Sequence, residues 1–118
     1  MVVEVKDSKQ VNECIAKNRL VLVAFLNSFK TLDKNYVLKI LSIIEEESAP
    51  TIYTALYVKP CNSKNDSTIL LNLYLNGTCI FSQEGLFGHL ENDLMVLKRG
   101  IKEVLKNRMI QVKFVRKG

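Results

Sequence analysis

The chain has 118 residues, 47% hydrophobic and 25% charged, with a net charge of +5. That length suits one domain with a real core, and the composition excludes a disordered or fibrous chain. No apolar run approaches the roughly 20 residues that cross a bilayer, and the start Met1-Val-Val-Glu-Val-Lys6 lacks the regions of a signal peptide, so a nuclear or cytoplasmic protein is expected.

Val2-Val-Glu-Val5 alternates and predicts a short first strand. Asp7 and Ser8 are good N-cap residues, and Val11, Cys14 and Ile15 recur at i, i+3 and i+4, predicting a helix over 8–17. Leu20 to Leu26 is almost entirely apolar, which suits a central strand covered on both faces. A second helix, about 31–47, places Val37, Ile40, Leu41 and Ile44 on one face. Its acidic end, Glu45-Glu-Glu47, opposes the helix dipole and is expected to fray before Ala49-Pro50 ends the helix.

Thr51 to Val58 is β-branched and aromatic, a third strand. Lys59 to Ser67 has turn composition throughout. Thr68–Leu75 and Thr78–Ser82 flank Asn76-Gly77, the dipeptide that best accommodates the positive φ angles of a two-residue type I′ hairpin. After a turn region with Gly85 and Gly88, Asn92 or Asp93 is expected to cap a third helix. Leu94, Leu97, Ile101, Val104 and Leu105 keep helical spacing there to about residue 107, and Ile110, Val112 and Phe114 alternate as a short last strand. The order is βαβαβ, then a hairpin, then a helix: an α/β fold with a central mixed sheet, whose crossovers must be right-handed.

Cys14, Cys61 and Cys79 are odd in number and contain no Cys-x-x-Cys spacing, so they suggest neither a disulfide framework nor a zinc site. Cys14 falls on the apolar helix face and is expected in the core, whereas Cys61 sits in a polar loop. His89, the sole histidine, lacks the partners that a metal site or a catalytic triad needs. No cofactor or small-molecule substrate is implied.

Charge is unevenly placed. Residues 98–118 carry eight cations against Glu103, a local balance of +7, so the other 97 residues sum to −2. A basic C-terminal extension over about 108–118 is read either as a solvated face and tail or as a surface for an acidic partner, RNA phosphate or protein. Lys113, Arg116 and Lys117 are the candidate contacts, with Phe114 the only aromatic nearby, too few for single-strand stacking.

Leu20-Val-Leu-Val-Ala-Phe25 followed by Phe29-Lys-Thr-Leu-Asp33 resembles the strand, loop and helix start of thioredoxin, where aromatic-Cys-Gly-Pro-Cys occupies the loop. Phe29 keeps the aromatic, but Lys30 and Asp33 stand at the two cysteine positions, and Ala24 stands where thioredoxin buries an acid. The family's cis-proline position falls near Thr68-Ile69, with no proline. The resemblance therefore implies a thioredoxin-like fold without the redox chemistry, and a function in binding.

Within that superfamily, Asp7-Ser-Lys-Gln-Val-Asn-Glu-Cys-Ile15 and the run from Leu94 to Val112 resemble the first helix and the basic ending of the Dim family, small thioredoxin-like proteins of the spliceosomal tri-snRNP. That likeness implies a nuclear ribonucleoprotein subunit docked on larger splicing factors. The nine residues Lys59 to Ser67 are too few for the helix that both families place before the hairpin, so the fold is shortened there.

The partner-contact candidates are Phe29, Lys30, Asp33, the apolar loop pair Leu86 and Phe87, and the three basic residues of the tail. Lys30 and Asp33 admit two readings, a contact pair in the former active-site groove or a solvated pair with Asp33 on the helix dipole. Two other functions compete with binding in a splicing particle. One is a thiol–disulfide enzyme working through Cys61, and the other is a structural subunit of a different assembly.

Overall fold

The strand Leu20–Asn27 is the spine of the molecule, and its composition explains why. Val21, Val23, Leu22 and Ala24 are all fully buried, because helices cover the sheet on both sides of this strand. The computed structural model describes residues 2–27, 31–59 and 68–115. In chain order the elements are β1 (Val3–Val5), α1 (Ser8–Lys17), β2 (Leu20–Asn27), α2 (Thr31–Glu47), β3 (Ser48–Ala49), β4 (Tyr53–Lys59), β5 (Thr68–Leu75), β6 (Thr78–Glu84), α3 (Leu90–Lys106) and β7 (Lys113–Phe114).

Five strands form the main sheet in the order β1-β4-β2-β5-β6. β4 runs parallel to both β1 and β2, and β5 pairs antiparallel with β2 and with β6. The period of two along β2 splits the core. Leu20, Leu22, Ala24 and Leu26 join Val37, Ile40, Leu41 and Ile44 of α2 and Leu97, Ile101 and Leu105 of α3 on one side. Val21 and Val23 join Val11 of α1, Val5 and Ala55 on the other.

The expected hairpin is present: Asn76 and Gly77 both adopt positive φ, 51° and 84°, as a type I′ turn requires. β6 runs to Glu84, two residues past the predicted end. β4 begins at Tyr53 rather than Thr51. The link between β4 and β5 is residues 60–67, outside the described residues.

Three expectations are corrected. The acidic end of α2 is held in place rather than frayed: Glu45 is buried and accepts from the Thr54 backbone N–H at 3.0 Å and from the Thr54 hydroxyl at 3.3 Å. Glu47 pairs with Lys98 of α3 at 2.8 Å. An unfavourable dipole term of under about 1 kcal/mol is outweighed by these tertiary partners.

The second correction concerns the expected last strand over Ile110, Val112 and Phe114, of which only Lys113–Phe114 is a strand. Ser48–Ala49 pairs antiparallel with Lys113–Phe114 as a separate two-stranded ribbon. Ser48–Ala49, at two residues, is too short to show a periodicity in the sequence.

The third correction concerns the cap of α3. The helix begins at Leu90 with His89 in the N-cap position and no side-chain cap bond. Asp93, expected as a cap, lies within the first turn and is fully buried. Its carboxylate turns back to the preceding loop, accepting from the N–H groups of Phe87 at 2.7 Å and Gly88 at 3.1 Å.

Candidate functional site

A groove of about 770 Å³ opens at the C-terminal end of β2. Phe25, Leu26 and Asn27 form one wall, and Asp33, Tyr36 and Val37 of α2 form another. Thr68, Ile69 and Leu70 at the start of β5 face the segment Glu84, Gly85, Leu86 and Gly88 that leads to α3. Parallel strands deliver their C-terminal ends and the following helix N-terminus to the same place, so a groove here follows from the topology. The Gly85 N–H donates to the Ile69 carbonyl at 2.9 Å, which ties the loop after β6 to the edge of β5.

Asp93 underpins that loop. Besides Phe87 and Gly88, it accepts from the Tyr36 hydroxyl, so one buried carboxylate joins α2, α3 and the groove wall. Burial first, and then the hydrogen bond and charge of Asp93, push the Tyr36 phenol well above the usual tyrosine range. Among the described lining residues the ionisable side chains are Asp33, Tyr36 and Glu84, with no cation. The remaining walls are mainly apolar. Such a groove can hold an extended chain with apolar side chains.

The described cysteines lie elsewhere. Cys14 is half-buried on α1 rather than fully in the core, and burial pushes its thiol up against the smaller pull of the Asn18 hydrogen bond and the Lys17 charge. It packs beside the Val5, Val11 and Val21 cluster. Cys79 is exposed on β6 just past the hairpin turn. Thr68 and Ile69 line the groove, whereas the cis peptide found among the described residues precedes Pro50, outside it.

The sequence candidates divide between two places. Asp33 and Leu86 line the groove, and Phe87 stands beside Leu86 with 74% of its surface exposed. Lys113 lies past the other end of α3, whose 17 residues span about 25 Å. There it borders a second groove, of about 540 Å³, together with Lys102 and Lys106. Phe29, Lys30, Arg116 and Lys117 lie outside the described residues, as does Cys61.

Tyr36, Glu84 and Asp93 form no motif in the sequence that marks them as a group. The spacing of Asp33, Tyr36 and Val37 at i, i+3 and i+4 carried the first signal, since it sets all three on one helix face.

No protein-family model matches the chain. No curated protein matches it either. Among solved structures, a protein put forward as an oxidoreductase with a thioredoxin fold superposes with a TM-score of 0.55 at 13% identity, covering 85% of this chain and 93% of that one. Plasmodium falciparum thioredoxin superposes with a TM-score of 0.55 at 14% identity, covering 82% of this chain and 97% of its own. Strand order, helix placement and these superpositions agree that the chain has a thioredoxin fold.

Proposed function

We propose that this chain is a non-catalytic protein-interaction module that uses the groove between β2, α2 and the loop before α3. The observation that carries the reading is the makeup of that groove. Thiol–disulfide exchange needs an attacking thiolate and a second sulfur to resolve the mixed disulfide. The chain has no Cys-x-x-Cys, and neither Cys14 nor Cys79 lines the groove. A thiol pushed up by burial, as at Cys14, is a poor nucleophile at neutral pH. Apolar walls with a few polar groups suit a peptide ligand instead.

The assembly we propose is a pre-mRNA splicing particle of the tri-snRNP type. Support comes from the likeness of Asp7–Ile15 and of Leu94–Val112 to the Dim family. Leu86 and Phe87, at the groove edge, are the apolar contacts such docking would use.

Affinity capture from cells with the intact chain, followed by quantitative mass spectrometry, tests both statements. Splicing proteins enriched by the native chain and lost with a Leu86→Ser/Phe87→Ser double variant are the expected result. Enrichment of tubulin, capsid or other structural proteins without splicing factors rules out the splicing assignment.

A further inference from the structure

The second groove carries an inference of its own, independent of the first. It lies at the C-terminal end of α3 and is lined by Lys102 and Lys106 of the helix, Met109, Ile110, Gln111 and Val112 of the turn, and Lys113 of β7. Lys102 and Lys106 are four residues apart, so they stand one above the other on the same helix face. Like charges at that spacing repel each other. Among the described residues, Lys102, Lys106 and Lys113 have no ion-pair partner, whereas Lys98, one turn earlier, is taken by Glu47.

Met109 is the second observation. The turn after α3 closes through the Met109 N–H donating to the Lys106 carbonyl at 3.0 Å and the Ile110 N–H donating to the Leu105 carbonyl at 2.8 Å. Met109 thereby takes φ of 61°, a position that ordinarily favours glycine, and it is 96% exposed. A strained, exposed, flexible apolar side chain contributes nothing to the core. Such a residue at the rim of a groove points to a contact surface.

From these residues we propose that this groove docks an acidic segment of a partner protein that carries an exposed aliphatic side chain. The three lysines neutralise its carboxylates, and Met109 with Ile110 and the floor residue Val112 takes its apolar group. RNA suits the site less well. Phe114, the aromatic nearest the groove, already has the ammonium groups of Lys98 and Lys102 over its ring, at 5.5 and 5.8 Å. Single-strand binding stacks successive bases on aromatic side chains, and none is among the described residues that line this groove.

Fluorescence anisotropy with the full chain tests this, using a labelled peptide of aspartates and glutamates around a leucine pair. Oligouridine and the same peptide with serines in place of leucines serve as the comparison ligands. The leucine peptide is expected to bind best, with amide shifts confined to residues 102–113. Replacing Lys102, Lys106 and Lys113 by Gln together should weaken it about tenfold, since each exposed ion pair contributes a few-fold at most.

Met109→Gly is the discriminating variant, because glycine relieves the turn and should raise the melting temperature while lowering peptide affinity about threefold. Unchanged affinity in Met109→Gly overturns the proposal. So does tighter binding of oligouridine than of the leucine peptide, or no saturable peptide binding at low salt.

Discussion

The Tyr36 hydroxyl donates to the Asp93 carboxylate across 57 positions of sequence, joining the first two turns of α2 to the first turn of α3. The same carboxylate holds the Phe87 and Gly88 N–H groups, so the groove wall, two helices and a loop share one buried charge. Removing the acceptor therefore affects more than one bond.

Asp93→Ala leaves two backbone donors and a phenol without their acceptor, and should destabilise the fold by about 3 kcal/mol. Tyr36→Phe removes one donor only and should cost about 1 kcal/mol. Urea unfolding midpoints check the ranking, and amide exchange should quicken at Phe87 and Gly88 in the Asp93 variant alone.

The raised phenol of Tyr36 has a consequence in alkali. In the unfolded chain this tyrosine ionises near its ordinary value of about 10, but in the folded protein it keeps its proton to higher pH. The folded state then binds more protons than the unfolded one, so stability is intact below about pH 10 and falls as pH rises above it. Stability measured from pH 9 to 11 should decline less steeply in Tyr36→Phe than in the native protein.

Glu45 and Glu47 sit at the same helix end, yet they should respond differently. Glu45→Ala strips the buried Thr54 N–H of its acceptor and should cost about 2 kcal/mol. Breaking the Lys98–Glu47 pair, whose side chains are 24% and 13% exposed, should cost about 1 kcal/mol. Thermal melts of Glu45→Ala and Glu47→Gln give the comparison.

Gly100 lies in the middle of α3, where alanine would ordinarily stabilise a helix by about 1 kcal/mol. Here a Cβ would come within 2.6 Å of the Phe81 ring. Gly100→Ala is expected to destabilise the protein by about 1 kcal/mol net, and Phe81→Leu in the same chain should recover most of the loss. An increase in melting temperature for the single variant would contradict this packing.

Long apolar patterns read truly from sequence because burial fixes their period. β2, the inner face of α2 and the Asn76-Gly77 turn all stand where their residues indicated. What escaped depends on partners distant in sequence. Asp93 has cap-forming chemistry, but its acceptors' donors lie in a loop whose path only the fold determines. Glu45 looked like a charge set against a dipole until Thr54 met it from the neighbouring strand. The pairing of Ser48–Ala49 with Lys113–Phe114 escaped because Ser48–Ala49 is too short to show a pattern and the alternation around Phe114 indicates no partner. Of the candidate contacts, Asp33 and Leu86 came together, whereas Lys113 belongs to a different surface.

If this thioredoxin fold serves binding without thiol chemistry, as we propose, the chain should not catalyse insulin reduction by a dithiol donor. Precipitation no faster than with the donor alone is expected for the native chain and for Cys14→Ser, Cys61→Ser and Cys79→Ser alike. Turnover by the native chain that disappears in any one of these variants would contradict it.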